Sequence, residues 1–441
     1  MDSILLSRIQ FGLAACFHFL FPPLTLGVSL IILIIETLYL KHKDDFYKNL
    51  STFLVKILGL IFVIGVATGI VLEFSFGTNW SEFSRFVGDI FGAPLAAEGI
   101  FAFFLESVFL SVLIFGRNRV SRRVYWLSAF LVFFGSHISG LWIIIANSWM
   151  QTPAGFKIEG GRAILTDFLQ AVMNCSTVIR YYHIVIASWI TGSLFVAGIS
   201  AFYLLKRRDV EYAKVYLKIA IVIFISTSVI QVFSGHSHSV QVAKTQPEKM
   251  AAYEALWETK EGAPLALFGL PDGGKKKTYF YVGIPKLLSL LIYGDFNARV
   301  VGLAEFPKDE QPPVFLPFVS YHIMILIGML FVSMAIAGLY LLYKDKIWNS
   351  KWYLTVLLFS IPLPHIANQF GWIGAEVGRQ PWAVYKVLKT ADAVSIVVPA
   401  GQILFSLIVF GLIYLFIFLI FIHILVRFIK KGPEEGVLKG Y

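Results

Sequence analysis

Nine stretches of the chain are apolar and long enough to cross a bilayer as helix. They lie near residues 9–40, 52–76, 94–116, 124–149, 178–205, 219–235, 316–343, 352–374 and 400–426, the sixth being the shortest. A hydrocarbon core of about 30 Å takes about 20 residues of helix. Lipid offers no partner to a backbone N–H or C=O, so runs of this length predict a helical bundle and not a barrel. The expected fold is an all-α integral membrane protein with a bundle of about nine transmembrane helices. Helices 1–6 fall in residues 1–235, a long connection occupies 236–315, and helices 7–9 fall in 316–441, all forming one membrane domain.

The charges between the runs orient the bundle. Connections 41–51, 117–123, 206–218, 344–351 and the tail 427–441 together hold 19 Lys and Arg in 54 residues. The alternate set, 1–8, 77–93, 150–177 and 375–399, holds 7 in 78. Basic residues in short connections stay on the cytoplasmic side, which predicts a cytoplasmic C-terminus and an N-terminus outside. The connection 236–315 then lies on the outer face. The first apolar run is too long for a signal-peptide core, and no small-residue cleavage site follows it, so no cleavable leader is expected.

Composition narrows the class further. Of 441 residues, 57% are hydrophobic and 15% charged, against roughly 25% charged in soluble domains. A disordered chain, a nucleic-acid-binding protein and an ordinary cytosolic enzyme are excluded. The net charge of +10 reads as loop asymmetry and not as a polyanion site. The two cysteines, Cys16 and Cys175, cannot build an iron–sulfur cluster or a disulfide framework by themselves.

Titratable side chains inside a span are costly and therefore candidates for function. They are His18, Glu73, Glu98, Glu106, His137, His183, His322 and His365, with Glu376 and Arg379 directly after the eighth run. By position along their runs, His183 and Met324 sit at similar depth, roughly 7–12 Å below the outer edge at about 1.5 Å per residue. A histidine and a methionine on different helices suit the two axial positions of a haem, although a hydrogen-bonded core histidine and a packing methionine explain the same residues. Glu98 and Glu106 lie about 80° and ~12 Å apart on an ideal helix, which suits a proton relay; pairing with a basic group or a carbonyl is the structural alternative. Glu376 and Arg379, three apart, suit a surface ion pair as well as a site. In the long connection a helix is expected from Pro247 to Trp257, with proline near its first position. His236 and His238 read as loop residues, and the third ligand that a metal site needs is not evident.

Several stretches resemble subunit I of the cytochrome bd-type quinol oxidases. They include Phe17-His18-Phe19-Leu20-Phe21-Pro22-Pro23, Glu73-Phe74-Ser75-Phe76-Gly77-Thr78-Asn79-Trp80, Gly88-Asp89-Ile90-Phe91-Gly92-Ala93-Pro94-Leu95-Ala96-Ala97-Glu98, Phe103-Phe104-Leu105-Glu106 and, most specifically, Gly378-Arg379-Gln380-Pro381-Trp382. The resemblance runs from about residue 5 to residue 425. It implies a copper-free terminal oxidase of a prokaryotic cytoplasmic membrane. Quinol, either ubiquinol or menaquinol, is oxidised at the outer face, and O2 is reduced to water with protons drawn from the cytoplasm, contributing to proton motive force. The implied cofactors are two haems b, one low-spin and one high-spin, and a haem d. The implied partners are a homologous second subunit, or a second copy of this chain, and membrane lipid.

By resemblance, His183 and Met324 match the ligands of the low-spin haem. His18 and Glu376 match those of the two-haem site, with Glu98 beside it and Glu106 on the proton route. Lys249 and Glu254 match quinol-loop residues, and the loop is of the short form. Arg379 is expected near a haem propionate and Trp372 near the haems, although packing alone explains Trp372 equally well. Two positions depart from the family. His322 stands where an arginine is usual, replacing a permanent cation with a titratable one. Ser234-Gly235-His236-Ser237-His238 is less acidic than the family pattern. A proton-coupled transporter would explain Glu98 and Glu106 but not His183 with Met324, and no inverted repeat is visible in the sequence. A haem-bearing redox subunit without O2 turnover is the other alternative.

Overall fold

A computed structural model describes residues 2–438. The first apolar run becomes two helices, α1 (Ser3–His18) and α2 (Pro22–His42). Prolines 22 and 23 open α2 and cannot donate to the preceding turn, so the chain breaks at Phe19–Phe21, just after His18. α3 (Asp45–Thr78) returns beside it. α4 (Ser81–Gly99), a π-helical turn (Ile100–Glu106) and α5 (Ser107–Phe115) form the next crossing, followed by α6 (Arg122–Gln151). A small hairpin, β1 (Phe156–Glu159) and β2 (Arg162–Leu165), and the one-turn α7 (Phe168–Val172) lead to α8 (Thr177–Lys206) and α9 (Val210–Thr245).

The long connection holds α10 (Pro247–Tyr253), β3 (Lys260–Glu261), β4 (Leu265–Asp272), β5 (Lys277–Ile284), α11 (Leu287–Tyr293) and β6 (Arg299–Val300). β4 pairs with β5 and β3 with β6, all antiparallel. α12 (Phe315–Tyr343), α13 (Lys351–Phe359) and α14 (Leu363–Val377) follow. After a last hairpin, β7 (Trp382–Val384) and β8 (Leu388–Lys389), α15 (Ala400–Leu438) runs out along the bundle.

Among the described residues, eight helical segments are long and apolar enough to cross a membrane. The eighth expected run, 352–374, is two short helices, α13 and α14, because Pro362 and Pro364 interrupt the backbone ladder. Two expectations for the connection are also corrected. The sixth run is not short: α9 has 36 residues and reaches Thr245, so His236 and His238 lie on a helix and the connection proper spans 246–314. The helix expected over Pro247–Trp257 stops at Tyr253, with Glu254 as its C-cap.

α8 is the centre of the bundle, packed against α2, α9 and α13. Its middle is rich in small residues, including Ser188, Thr191, Gly192, Ser193, Ala197 and Gly198. In lipid, small residues let helix backbones approach and gain dispersion contact. The closest approach is to α2, where a Cβ on Gly27 would fall 2.6 Å from the Gly192 Cα. Gly192→Val should wedge α2 from α8, since overpacking costs about 1–3 kcal/mol or more. Gly140 has open space around it, so Gly140→Ala should be neutral. Thermal unfolding of detergent-solubilised protein by size-exclusion fluorescence should show a clear drop for the first variant only.

Candidate functional site

The site is built on α14. The break at Pro362 separates this half-helix from α13; Asn368, Gln369 and Glu376 each meet a different element, while His365 Nδ1 is buried without a partner. Gln369 Nε2 donates to the Cys16 carbonyl on α1 at 2.8 Å, and Asn368 Nδ2 to Thr191 Oγ1 on α8 at 3.2 Å. A Cβ on Gly371 would lie 2.9 Å from Met324 Sδ on α12, so only glycine admits the thioether there. Trp372 meets the Phe19 ring edge-on at 5.3 Å and has the Arg180 guanidinium 5.9 Å from its ring centre.

Glu376, at the C-terminal end of α14, is the most heavily bonded of the candidates. Its Oε1 accepts from Asn147 Nδ2 at 3.1 Å and from Gln151 Nε2 at 3.0 Å, both on the last two turns of α6. Its Oε2 is paired with Arg379. The expected ion pair therefore exists, but not at the surface: Arg379 is buried, and Asn147 is in turn held by Arg180, which is only 4% exposed. Lys249 Nζ donates to Gln151 Oε1 at 2.5 Å. Arg180, Arg379 and Lys249 thus crowd one carboxylate, with Glu248 as the further acid near Lys249. A buried site with a surplus of cations is matched to an anionic group.

The histidines separate by their hydrogen bonds. His137 has both ring nitrogens engaged, Nδ1 with the Phe133 carbonyl at 2.7 Å and Nε2 with Trp189 Nε1 at 3.0 Å, and is a satisfied core residue. His18 has Nδ1 3.1 Å from Thr68 Oγ1. That hydroxyl already donates to Ile64 and Gly65 carbonyls, so it accepts from His18 and leaves the Nε2 lone pair available. His183 Nδ1 meets Ser234 Oγ at 2.9 Å, and Gln231 Nε2 lies 3.3 and 3.2 Å from its Nδ1 and Nε2, nearly equidistant and so aligned with neither lone pair. His238, expected in a solvated loop, lies on α9 with its ring 5.3 Å from His183 and its Nε2 buried without a partner. His236 is exposed. Among the described residues no group of three or more His, Cys, Asp and Glu forms a metal cluster.

The two loop candidates point apart. Lys249 and Glu254 are each 2% exposed. Lys249 faces Gln151 and the Glu376 network, and burial followed by the Arg180 charge holds its ammonium well below the usual lysine range. Glu254 faces β4, where Oε2 accepts from the Ala266 N–H at 2.8 Å and Oε1 is buried without a partner. Burial pushes its carboxyl up to about 8, with the Ala266 N–H pulling the other way. His322 meets the other backbone group of the same residue, its Nε2 3.0 Å from the Ala266 carbonyl and its Nδ1 2.8 Å from that of Phe318.

Glu98 and Glu106 both reach α6. Glu98 Oε1 accepts from Ser139 at 3.1 Å and also hydrogen-bonds Glu73. Glu106 is buried against Ser136, one turn away on α6. The intervening π-helical turn rotates less per residue than an α-helix, so the offset expected from ideal geometry is reduced and both carboxyls lie along one helix.

Sequence reasoning passes over Arg180, Asn147 and Gln151. The signal for Arg180 was present, a charge inside an apolar run. Asn147 and Gln151 carry no such signal, being neutral amides at the end of a helix.

The candidate side chains His18, His183, Met324 and Glu376 stand on α1, α8, α12 and α14 of a multi-pass helical membrane bundle, with Arg180, Arg379 and Lys249 buried close to Glu376. The chain belongs to the family described as cytochrome bd terminal oxidase subunit I, whose model matches residues 6–433. It is 40% identical over 446 residues, covering 99% of this chain and 95% of its relative, to the cytochrome bd ubiquinol oxidase subunit 1 of Bacillus subtilis strain 168. It is 34% identical to the cytochrome bd-II ubiquinol oxidase subunit 1 of Escherichia coli K12, over 98% of this chain and 97% of that one. Among solved structures it is similar to the bd oxidase from Geobacillus thermodenitrificans, with a TM-score of 0.92, 28% identity and coverage of 98% and 99% of the two chains. The protein is therefore a prokaryotic membrane oxidoreductase of respiratory electron transport, a quinol oxidase subunit.

Glu254 generates a pH test. The unfolded chain releases this proton near 4.5 and the folded one near about 8. The folded state binds the extra proton between those values, so stability from this group is full at low pH and falls as pH rises through the window. In the difference between wild type and Glu254→Gln, the melting temperature should decline from about pH 5 to about pH 9. A flat difference refutes the buried, protonated carboxyl.

Proposed function

We propose that this chain is the catalytic subunit of a copper-free quinol:O2 oxidoreductase. Quinol, ubiquinol or menaquinol, is oxidised on the side of the long connection, taken as the outer face. O2 is reduced to water with protons drawn from the opposite, cytoplasmic side, which contributes to proton motive force. The observation that carries the reading is the Glu376 network, in which one hydrogen-bonded amide, Gln151, joins the long connection at Lys249 to the carboxylate on α14.

The cofactors inferred are two haems b and a haem d. When bound, they supply the one-electron and O2 chemistry that side chains lack. The fit rests on the donors. His183 and Met324 offer an imidazole and a thioether for a low-spin haem. His18 has a free Nε2 lone pair, set by Thr68, and Glu376 is a hard anionic donor; these two would hold the irons of the O2-reducing pair, with Glu98 beside them. Glycines under Met324 and His18, Gly371 and Gly69, keep the donor atoms clear of side chains. The surplus of cations around Glu376 suits haem propionates, with Arg379 and Arg180 as partners.

The protein's own work is to handle protons. Glu254 Oε1, buried and unpartnered, is placed to bond a quinol hydroxyl, and the ionised form of Glu254 accepts its proton. Lys249, which faces away from Glu254, acts through Gln151 and ties the start of the long connection to the Glu376 network. Glu106 and Glu98, with Ser136 and Ser139 between them on α6, form the inward proton route. The outward faces of α5 and α15 are apolar. They suit lipid and a homologous second subunit or a second copy of this chain, consistent with the relatives being named subunit 1.

The test is the reduced-minus-oxidised spectrum of purified protein together with quinol-driven O2 uptake. Met324→Leu should turn the low-spin signal high-spin, and an unchanged low-spin spectrum refutes the ligand. Glu376→Ala should lose a high-spin haem and O2 uptake while quinol still reduces the remaining low-spin haem; full haem content and activity refute it. Glu106→Gln should keep its haems but slow the proton-limited reaction of the reduced enzyme with O2. Normal turnover and membrane potential in proteoliposomes would place Glu106 off the route.

A further inference from the structure

The β4–β5 hairpin has a dry side and an apolar open side. On the inner side Ala266 and Pro271 are buried, and Trp257 Nε1 holds Thr278 Oγ1 at 3.0 Å. On the open side Leu267, Phe268, Leu270, Phe280, Val282 and Ile284 stand exposed, with Phe280 at 76% and Val282 at 54%. Phe280 sits at φ +52°, beside an irregularity in the strand register, a conformation uncommon for a bulky residue. An exposed apolar surface of this kind on a connecting segment marks a contact with something apolar.

Its place along α12 says what that is. The Ala266 carbonyl is bonded by His322, seven residues into α12, or about 10 Å along the helix axis. A Cβ on Gly269 would meet the Phe318 ring at 3.5 Å. The hairpin therefore lies beside the end of a membrane-crossing helix and not above it. The first residues of α12, Phe315 and Leu316, are themselves exposed, so the apolar surface continues from the hairpin onto the lipid-facing side of the bundle.

The turn of the hairpin adds the charge. Lys275, Lys276 and Lys277 are all exposed there. The nearby acid, Asp272, spends Oδ1 on the Gly274 and Lys275 backbone N–H groups. Apolar and aromatic side chains next to a lysine cluster are the pattern of an element seated at the headgroup boundary, its body among acyl chains and its cations among phosphates.

We propose that the β4–β5 hairpin is an interfacial membrane anchor. Its open face is embedded in the leaflet on the side of the long connection, and Lys275, Lys276 and Lys277 bind the phosphates of anionic phospholipids. This contact stands apart from the quinol reading and does not depend on it.

The experiment uses the complete enzyme in vesicles of phosphatidylcholine with and without phosphatidylglycerol. A nitrobenzoxadiazole label is placed on Phe280→Cys in a Cys16→Ser/Cys175→Ser background, with Lys308→Cys as the exposed control. Phospholipids carrying a shallow doxyl group should quench the label at 280 several-fold more than at 308, and aqueous iodide should do the reverse. Phosphatidylglycerol should strengthen the doxyl quenching, and K275E/K276E/K277E should remove that gain. Iodide quenching equal to that at 308 overturns the proposal. Shielding from both quenchers overturns it too, because a protein, either a second subunit or a second copy, then covers the hairpin. Doxyl quenching that ignores both phosphatidylglycerol and the lysine changes refutes the headgroup contact.

Discussion

A half-buried carboxylate set among buried cations is the constraint on which the site depends. Glu376 keeps 33% of its side chain exposed, but the cations around it are buried, and an uncompensated buried charge costs several kcal/mol. The fold supplies the partners of Glu376 from three places: Arg379 one turn on, Asn147 and Gln151 from α6, and Arg180 from α8 acting through Asn147. Each partner is fixed in turn. Gln151 also accepts Gln246 Nε2 at its carbonyl at 2.9 Å and Lys249 at its side chain, so the start of the long connection is tied to the same group. A change at any member is felt as an unpaired polar atom elsewhere, which makes the network stiff and couples the connection to α14.

Breaks in helices put the remaining donors where they can be used. The Pro22–Pro23 break ends α1 at His18 and turns the following Phe19 onto Trp372. Pro362 and Pro364 free α14 from α13, so that it can meet α1, α8 and α12 at once. The π-helical turn between α4 and α5 brings Glu98 and Glu106 onto the same neighbour. Irregular backbone inside a membrane survives only where protein or a cavity satisfies it, so each break is itself a mark of a working region.

Ala266 links the loop to the helices. Its N–H bonds Glu254 and its carbonyl bonds His322, two residues before Met324. His322 thus has a structural task here, holding β4 against α12.

The apolar runs, their lengths and the basic residues between them determined the helical membrane bundle, because each is a local property of the chain. The types of donor were legible too, since His18, His183, Met324, Glu98, Glu106 and Glu376 stand out against apolar surroundings or a distinctive motif. Tertiary structure alone decided which of them are free to act. His137 and His18 look alike in the sequence; the first has both nitrogens bonded, and the second keeps a lone pair because Thr68 donates elsewhere. His238 read as a loop residue because the polar segment around it ends the apolar run, yet α9 continues through it to meet His183. Gln151 gave no signal, since an amide at a helix end is ordinary until a residue 225 positions away becomes its partner. Hydropathy records where a side chain is soluble, whereas a hydrogen bond depends on two residues that only the packing of the helices brings together.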